Sequence, residues 1–344
     1  MSATILPEKS LHYPVLLKEV LSIISPQNGG TFIDCTFGQG GYTKKILEFP
    51  NTKVIALDRD IKSKNIAEKF KNKFKDRFEF FNKKFSEIDT IPAKGKISGI
   101  IFDFGFSYDQ IKDSSKGLSF NFKGKLDMKM GHNKFSAHDI IKNLSAKDLD
   151  KIFKYFGEEK DSKLISRNIV KQRKYKEILT EDLVNMVNST KKNFTRKNKS
   201  TKVFQALRIL VNNEISELIL GLSKSCNLIA ENGIIATVTF HSIEDRICKF
   251  FFNNISRIQK GSRYLPINIK EDISFNLINK KPITPSSIEI EENPPSRSAK
   301  LRAVKRISNR GVKTNFIFEK FNYLLEIEKL TSKIWKIILL SFLY

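Results

Sequence analysis

The residues of this chain best suited to chemistry fall at the ends of short apolar runs. Asp34 opens the block Asp34-Cys35-Thr36-Phe37-Gly38-Gln39-Gly40-Gly41, a predicted strand entering a turn with three glycines in four positions. Glycine there lets backbone approach a ligand where a side chain would collide. The turn suits no phosphate chain: the third glycine of a dinucleotide fingerprint would fall at Thr43, and the G-K-[ST] ending of a P-loop is absent. Alone, the glycines are as readily a structural turn as a site. Asp58, however, stands 17 residues beyond Gly41 at the end of the next apolar run, where a carboxylate can accept both hydroxyls of a ribose. Asp103 closes a further run. One strand-end aspartate commonly caps a helix, whereas three in succession beside a glycine turn point to a nucleoside cofactor without phosphate.

Other polar residues occupy patterned positions. Phe240-His241-Ser242-Ile243-Glu244-Asp245-Arg246 sits where a later strand meets a helix, facing the same sheet edge. Ser242-x-x-Asp245 has the spacing of a capping box, and a lone strand-end histidine is commonly structural. Gln205, Arg208 and Asn212, at i, i+3 and i+7, share one helix face, either a solvated stripe or the lining of a substrate cleft. Arg297, Lys300 and Arg302 are suited to phosphate contacts. Cys35, Cys226 and Cys248 are far apart with no CxxC pair, so no disulfide framework and no metal site is expected.

These residues need an α/β frame to hold them. Thr31 to Thr36, Lys53 to Leu57, Phe78 to Phe81 and Ser98 to Phe102 read as strands alternating with helices, which predicts a parallel sheet. From Ile111 to about Lys202 the pattern turns helical, with runs at Ala146 to Phe156 and Lys163 to Lys171, and closes on the basic stretch Lys191 to Lys202. Val203 to Ile229 reads as one long amphipathic helix ended by Gly233, Ile234 to Phe240 as a return to strand, and Ala299 to Ile307 as a final edge strand. The expected organisation is therefore discontinuous: residues 1–110 with 203–309, an inserted all-helical domain at 111–202, and an extension at 310–344. In that extension Leu324, Ile327, Leu330, Ile334 and Ile338 predict an amphipathic helix that packs on the domain, serves a homodimer or is poorly ordered, alternatives between which the sequence does not choose.

Composition sets the class of partner. In 344 residues, 40% hydrophobic and 28% charged, 61 lysines and arginines oppose 37 acids, a net charge of +24. Such a chain folds, and a polyanion such as nucleic acid leads the candidate partners, although a lysine-rich bias can also reflect codon composition. The N-terminus lacks the pattern of a secretory signal, and Ile334 to Leu343, broken by Lys336, is half the ~20 residues of a membrane span. A cytoplasmic protein with no membrane partner is expected.

The blocks DCTFGQGGYT, ALDRD, FDFGFSYDQ, KGLSFNFKGKLDMKM, KVFQALRILVNNEI, TFHSIEDRICKFF and NPPSRSAKLRAVKR, in order from His12 to Arg306, resemble the bacterial 16S rRNA cytosine-N4 methyltransferase family, known as RsmH or MraW. The resemblance implies an α/β fold of the class I S-adenosylmethionine-dependent methyltransferases, a Rossmann-like sheet with an inserted helical domain. It implies S-adenosylmethionine as cofactor, with contacts at Gly40, Gly41, Tyr42, Asp58, Phe85, Asp103 and Gln110. It also implies methylation of a cytidine N4 in the decoding, P-site region of 16S rRNA within the small ribosomal subunit. An acceptor for the N4 hydrogen would then come from Asp103, Ser107, Gln110, His241 or Ser242, and RNA contacts from Gln205, Arg208, Asn212, Arg297, Lys300 and Arg302. Tyr42 stands where the family commonly has histidine, FGFSYDQ replaces the usual LGVSSPQ, and Lys129 replaces an arginine. Two rivals remain: a DNA amino-methyltransferase, or a ribosome-assembly RNA-binding protein with vestigial methylation. Against the first, Ser296 follows Asn293-Pro294-Pro295 where the DNA enzymes carry an aromatic, and no predicted strand precedes it.

Overall fold

In the computed structural model of the chain, residues 14–92, 95–105, 113, 116–119, 123–131, 133–191, 198–256 and 273–334 are described. Runs of β-branched and aromatic residues build the sheet: β1 (Gly30–Asp34), β2 (Thr52–Leu57), β3 (Phe78–Phe81), β4 (Ile97–Asp103), β5 (Ile229–Thr239), β6 (Phe275–Leu277) and β7 (Lys300–Arg306). Their order is β3-β2-β1-β4-β5-β7-β6. The strands from β3 to β5 are parallel, whereas β7 runs antiparallel to both β5 and β6. The sheet is thus mixed where a parallel one was expected, and β7 is internal because β6 covers its outer edge.

Alternation along the strands splits the core. Phe32, Val54, Ile101 and Ala236 face α1 (Leu17–Ile24), α2 (Gly41–Leu47) and α3 (Ser63–Phe74). Ile33, Ile55, Ile100 and Ile235 belong to the opposite core. Between β4 and β5 the described residues form α4 (Ala137–Asn143), α5 (Ala146–Phe156), α6 (Ser162–Gln172), α7 (Thr180–Thr190), α8 (Thr201–Asn212) and α9 (Glu214–Leu228). Local chemistry starts α4 and α5: the Ser136 and Ser145 hydroxyls accept the N–H groups of Asp139 and Asp148. The predicted single helix from Val203 to Ile229 is instead two, because Asn213 adopts a left-handed conformation, φ 51°, which asparagine tolerates better than most residues.

After β5 come α10 (Ser242–Ile255), α11 (Ser287–Glu292) and α12 (Asn315–Glu328). In the C-terminal segment Ile317, Phe321, Leu324, Ile327, Leu330 and Ile334 are buried, and α12 packs on α5, α9 and α10. Its apolar face is spent on contacts within the chain. Among the described residues no helix is long and apolar enough to cross a membrane.

Arg306 ties β7 to the carboxyl end of α9, donating to the carbonyls of Cys226 at 2.6 Å and Ile229 at 2.8 Å. Arg306→Ala leaves those buried carbonyls without donors, and a loss of about 3 kcal/mol is expected, read as a lower urea midpoint at unchanged m-value.

Candidate active site

A cavity of about 600 Å³ opens at the carboxyl edge of β1, β2, β4 and β5, where open α/β sheets place their ligands. Gly38, Gly41, Tyr42, Asp58, Phe85 and Asp103 all line it, so most of the expected cofactor residues come together. Gly40 acts from behind. Its φ is +77°, and a Cβ there would lie 2.6 Å from the Phe70 ring, so only glycine lets the turn close on α3. The Tyr42 phenol donates to the Val15 carbonyl and its ring is buried, which leaves the residue to hold α2 against the N-terminal segment. Ser107 and Gln110 lie outside the described residues.

Asp58 stitches the glycine turn to the end of β2. Its Oδ2 accepts the Gly38 N–H at 2.7 Å and its Oδ1 the Asp60 N–H at 2.7 Å. Ser63 adds a side-chain hydrogen bond, so of the about four lone-pair sites of a carboxylate about one remains toward the cavity. Burial nonetheless pushes its pKa above the ordinary value.

Asp34 lies one layer deeper and supports the others. It accepts the Thr43 hydroxyl at 2.7 Å and the Thr36 N–H at 3.2 Å, and burial lifts its pKa to about 6. The Thr36 hydroxyl in turn accepts the Asp103 N–H at 2.9 Å, locking the ends of β1 and β4 together. Asp103 faces the cavity. Loss of solvent raises its pKa to about 7, with the Gly105 N–H, at 3.4 Å, opposing and Asp34 and Glu244 adding repulsion.

Phe85 forms a flat apolar wall, edge-on to Phe102 and Phe104 at ring-centroid distances of 5.7 Å. Gly221 on α9 lets that wall sit close: a Cβ at this position would lie 2.8 Å from the Phe85 ring. Nothing in the sequence spacing linked Gly221 to Phe85.

The α8–α9 elbow and the start of α10 also line the cavity. Arg208 forms a bidentate pair with Glu214 at 2.9 Å for both bonds. Glu217 follows one turn later and pairs with Lys84 at 3.2 Å. His241 is the N-cap of α10. Its Nδ1 accepts the Glu244 N–H at 3.4 Å, while Glu244 Oε2 accepts the N–H groups of Phe240 and His241. The capping box is thus His241 with Glu244, one residue earlier than the Ser242–Asp245 spacing predicts. Burial disfavours the Glu244 charge, but His241, Arg208 and the Phe240 N–H hold its carboxyl below the usual range. Glu214, His241 and Glu244 bring their ligand-type atoms within 4.8 Å of one another, and Arg208 already supplies positive charge among them.

Several expected contacts lie elsewhere. Ser242 is exposed and donates to Glu158 at 2.6 Å, tying α10 to the chain after α5. Gln205 lines the cavity and donates to the Phe156 carbonyl at 3.0 Å. Asn212 is not on a solvated stripe: it is fully buried, donating to the Met128 carbonyl and accepting from the Met130 N–H and the Asn133 amide. Arg302, 6% exposed, is taken up by Asp245 at 2.7 Å, so it braces β7 on α10 and is withdrawn from any phosphate. Lys300 shares that aspartate at 2.9 Å and remains half-exposed, and Arg297 is exposed. Asn293-Pro294-Pro295 follows α11 and enters a 3-10 turn at Pro294–Ser298 that leads into β7; Asn293 and Pro295 line the cavity, but a helix and not a strand runs into the motif.

Sequence reasoning missed Arg59, which follows Asp58 and donates to the Asn212 carbonyl at 3.0 Å and to Asn133 at 2.6 Å. It also missed Glu214, Glu217 and Glu244.

Residues 9–307 match the model of the MraW methylase family. The chain is 40% identical over 305 residues to the ribosomal RNA small subunit methyltransferase H of Ehrlichia canis (strain Jake), covering 86% of this chain and 100% of that protein. It is 38% identical over 307 residues to the protein of the same name from Rhodopseudomonas palustris (strain BisA53), covering 87% of this chain and 92% of the relative.

Two variants test this geometry. Gly221→Ala pushes the Phe85 ring into the cavity, and binding of an adenosine-containing ligand is expected to weaken about tenfold, or about 1.4 kcal/mol, in calorimetry. Asn212→Ala strips partners from the buried groups of the 128–133 segment, with an expected loss of about 3 kcal/mol in urea unfolding.

Proposed function

Because the chain belongs to the MraW methylase family, we propose that it is a cytoplasmic enzyme that methylates the exocyclic N4 of a cytidine in the decoding region of 16S rRNA, within the small ribosomal subunit. The observation that carries this reading is a cavity whose lining sets seven acids, among them Asp58, Asp103, Glu214, Glu217 and Glu244, against the four bases Arg59, Lys62, Lys116 and Arg208, in a chain of net charge +24. A cationic ligand suits the inside and a polyanion the outside.

When bound, S-adenosylmethionine supplies a methyl group on a positively charged, electrophilic sulfur. The residues present fit it: a glycine turn open to close approach, a carboxylate with a spare acceptor site for a ribose hydroxyl at Asp58, and an apolar wall at Phe85 for a purine. No side chain needs to act as nucleophile. Holding donor and acceptor in line supplies much of the acceleration.

Cytosine N4 is a poor nucleophile because its lone pair is delocalised into the ring. An acceptor that draws on an N4 hydrogen localises density on the nitrogen as the methyl arrives. Asp103 is the group we assign to this role. His241 and Ser242 are engaged with Glu244 and Glu158, whereas Asp103 faces the cavity and, among the described residues, accepts one long hydrogen bond. A carboxyl titrating near 7 can also take up the proton that leaves N4. Phe104, Phe204 and Phe240 in the cavity wall limit water around it.

The segment 111–202 is the proposed substrate-recognition domain. On α6 the exposed Lys163, Arg167 and Lys171 fall at i, i+4 and i+8, forming one basic face for RNA phosphates. A base reached by this cavity must be extruded or unpaired, which suits a folded ribosomal particle better than a duplex.

The deciding assay supplies labelled donor and small subunits from a strain lacking the enzyme, followed by nucleoside mass spectrometry. N4-methylcytidine above background is expected; none, or better transfer to duplex DNA, overturns the reading. The transfer rate is expected to rise with pH through about 7 as Asp103 ionises, then level off. Asp103→Asn is expected to slow transfer at least about tenfold and to flatten that profile. Between the unfolded pKa of 3.8 and the folded value of about 7, the folded chain keeps a proton the unfolded chain has lost, so this residue's contribution to stability falls as pH rises. The Asp103→Asn protein should therefore resist urea better than wild type at pH 8, with the difference closing toward pH 4. Replacing Lys163, Arg167 and Lys171 by alanine should weaken small-subunit binding and reduce its log-log salt slope by about 2.

A further inference from the structure

The elbow between α8 and α9 carries Arg208, Glu214 and Glu217 into the cavity, yet its own geometry is incomplete. Asn213 precedes α9 in a left-handed conformation and makes no side-chain cap. The N–H groups at the start of a helix have no partner within it and must find one elsewhere. Here the partner is Glu328, more than a hundred residues away. Its Oε1 accepts the Ile215 N–H at 2.8 Å and its Oε2 the Ser216 N–H at 3.0 Å. Glu328 is 5% exposed at the end of α12, and burial pushes its carboxyl up to about 7, with the bonds to Ser216 and Ile215 opposing. Such a group is costly to bury without these acceptor roles.

Two further observations give this contact functional weight. The residue that follows Asn213 is Glu214, the bidentate partner of Arg208 in the cavity wall. And α12 lies beyond residue 307, where the family match ends, while the Ehrlichia canis relative is aligned over its whole length with 86% of this chain.

We propose that Glu328 is a positioning residue: the C-terminal helix supplies from outside the family core the N-terminal cap that α9 lacks, and so fixes Glu214 and Arg208 in the lining of the cavity. The inference rests on the methyltransferase reading for its effect on turnover, but the cap itself can be tested without it. Glu328→Gln keeps the volume, retains one acceptor oxygen and turns an amide toward the second N–H.

The experiment uses the full chain. Hydrogen exchange by mass spectrometry across residues 214–219 is compared in wild type, Glu328→Gln and Lys333→Ala. The last breaks the 2.9 Å pair between Lys333 and Asp148, which docks the same segment without touching α9. Exchange is expected to rise at least tenfold in Glu328→Gln and to stay within twofold of wild type in Lys333→Ala. Methyl transfer to small subunits is then measured for Glu328→Gln, Glu214→Gln and the double variant, each corrected for its folded fraction. If Glu328 acts through Glu214, the turnover losses are not additive, and the double variant falls within twofold of Glu214→Gln. Unchanged exchange in Glu328→Gln, or losses that simply multiply, overturns the proposal. Absence of transfer by wild type would sink the substrate reading, while the exchange comparison would still decide the cap.

Discussion

The structure depends on a crowding of carboxylates at one edge of the sheet. Asp34, Asp58 and Asp103 stand at the ends of adjacent strands, each at least partly removed from water and each with its pKa raised. Burial of like charges opposes folding unless hydrogen bonds compensate. The compensation is visible in the Thr43 hydroxyl on Asp34 and in the Gly38 and Asp60 N–H groups on Asp58. Among the described residues Asp103 receives the least, one bond from the Gly105 N–H at 3.4 Å. It is therefore the group that gains most from an arriving cation, and the place where the frame leaves chemical work undone.

The rest of the molecule is arranged around that constraint. The glycine turn brings backbone to the edge, Phe85 and the phenylalanines behind it give an apolar side, and Arg208 balances Glu214 and Glu244. The elbow at Asn212 and Asn213 joins these parts. Asn212 holds the 128–133 segment, its carbonyl receives Arg59 from the end of β2, and Glu328 secures the start of α9. Arg59, Lys62, Lys116 and Arg208 reach the cavity among its acids, while Lys163, Arg167 and Lys171 of α6 are exposed, where RNA phosphates would meet them.

How much of this was legible in the sequence follows from the range of each interaction. Strands and the glycine turn are local, and β1 to β4 lie within a residue or two of their predicted bounds. Asp58 and Asp103 were readable because a strand end fixes where a side chain emerges. The elbow was not, since apolar residues at spacings of three and four continue from Leu210 to Leu218 across Asn213 and hide the break. Lys300 and Arg302 share one face of β7, but only the packing of α10 shows that Asp245 claims them. Gly221, Asn212 and Glu328 act through partners distant in sequence, to which spacing is blind. The order β5-β7-β6 likewise needs the tertiary path, because a basic strand near the end of the fold reads as an edge.

The central claim is that these carboxylates shape the cavity for positive charge. Calorimetry of S-adenosylmethionine against S-adenosylhomocysteine at pH 8 tests it most directly, since the two ligands differ by one methyl group and the charge on sulfur. The account predicts that wild type prefers the charged ligand over the neutral one by more than Asp103→Asn does. Equal preference in the two proteins, with both correctly folded, would contradict it.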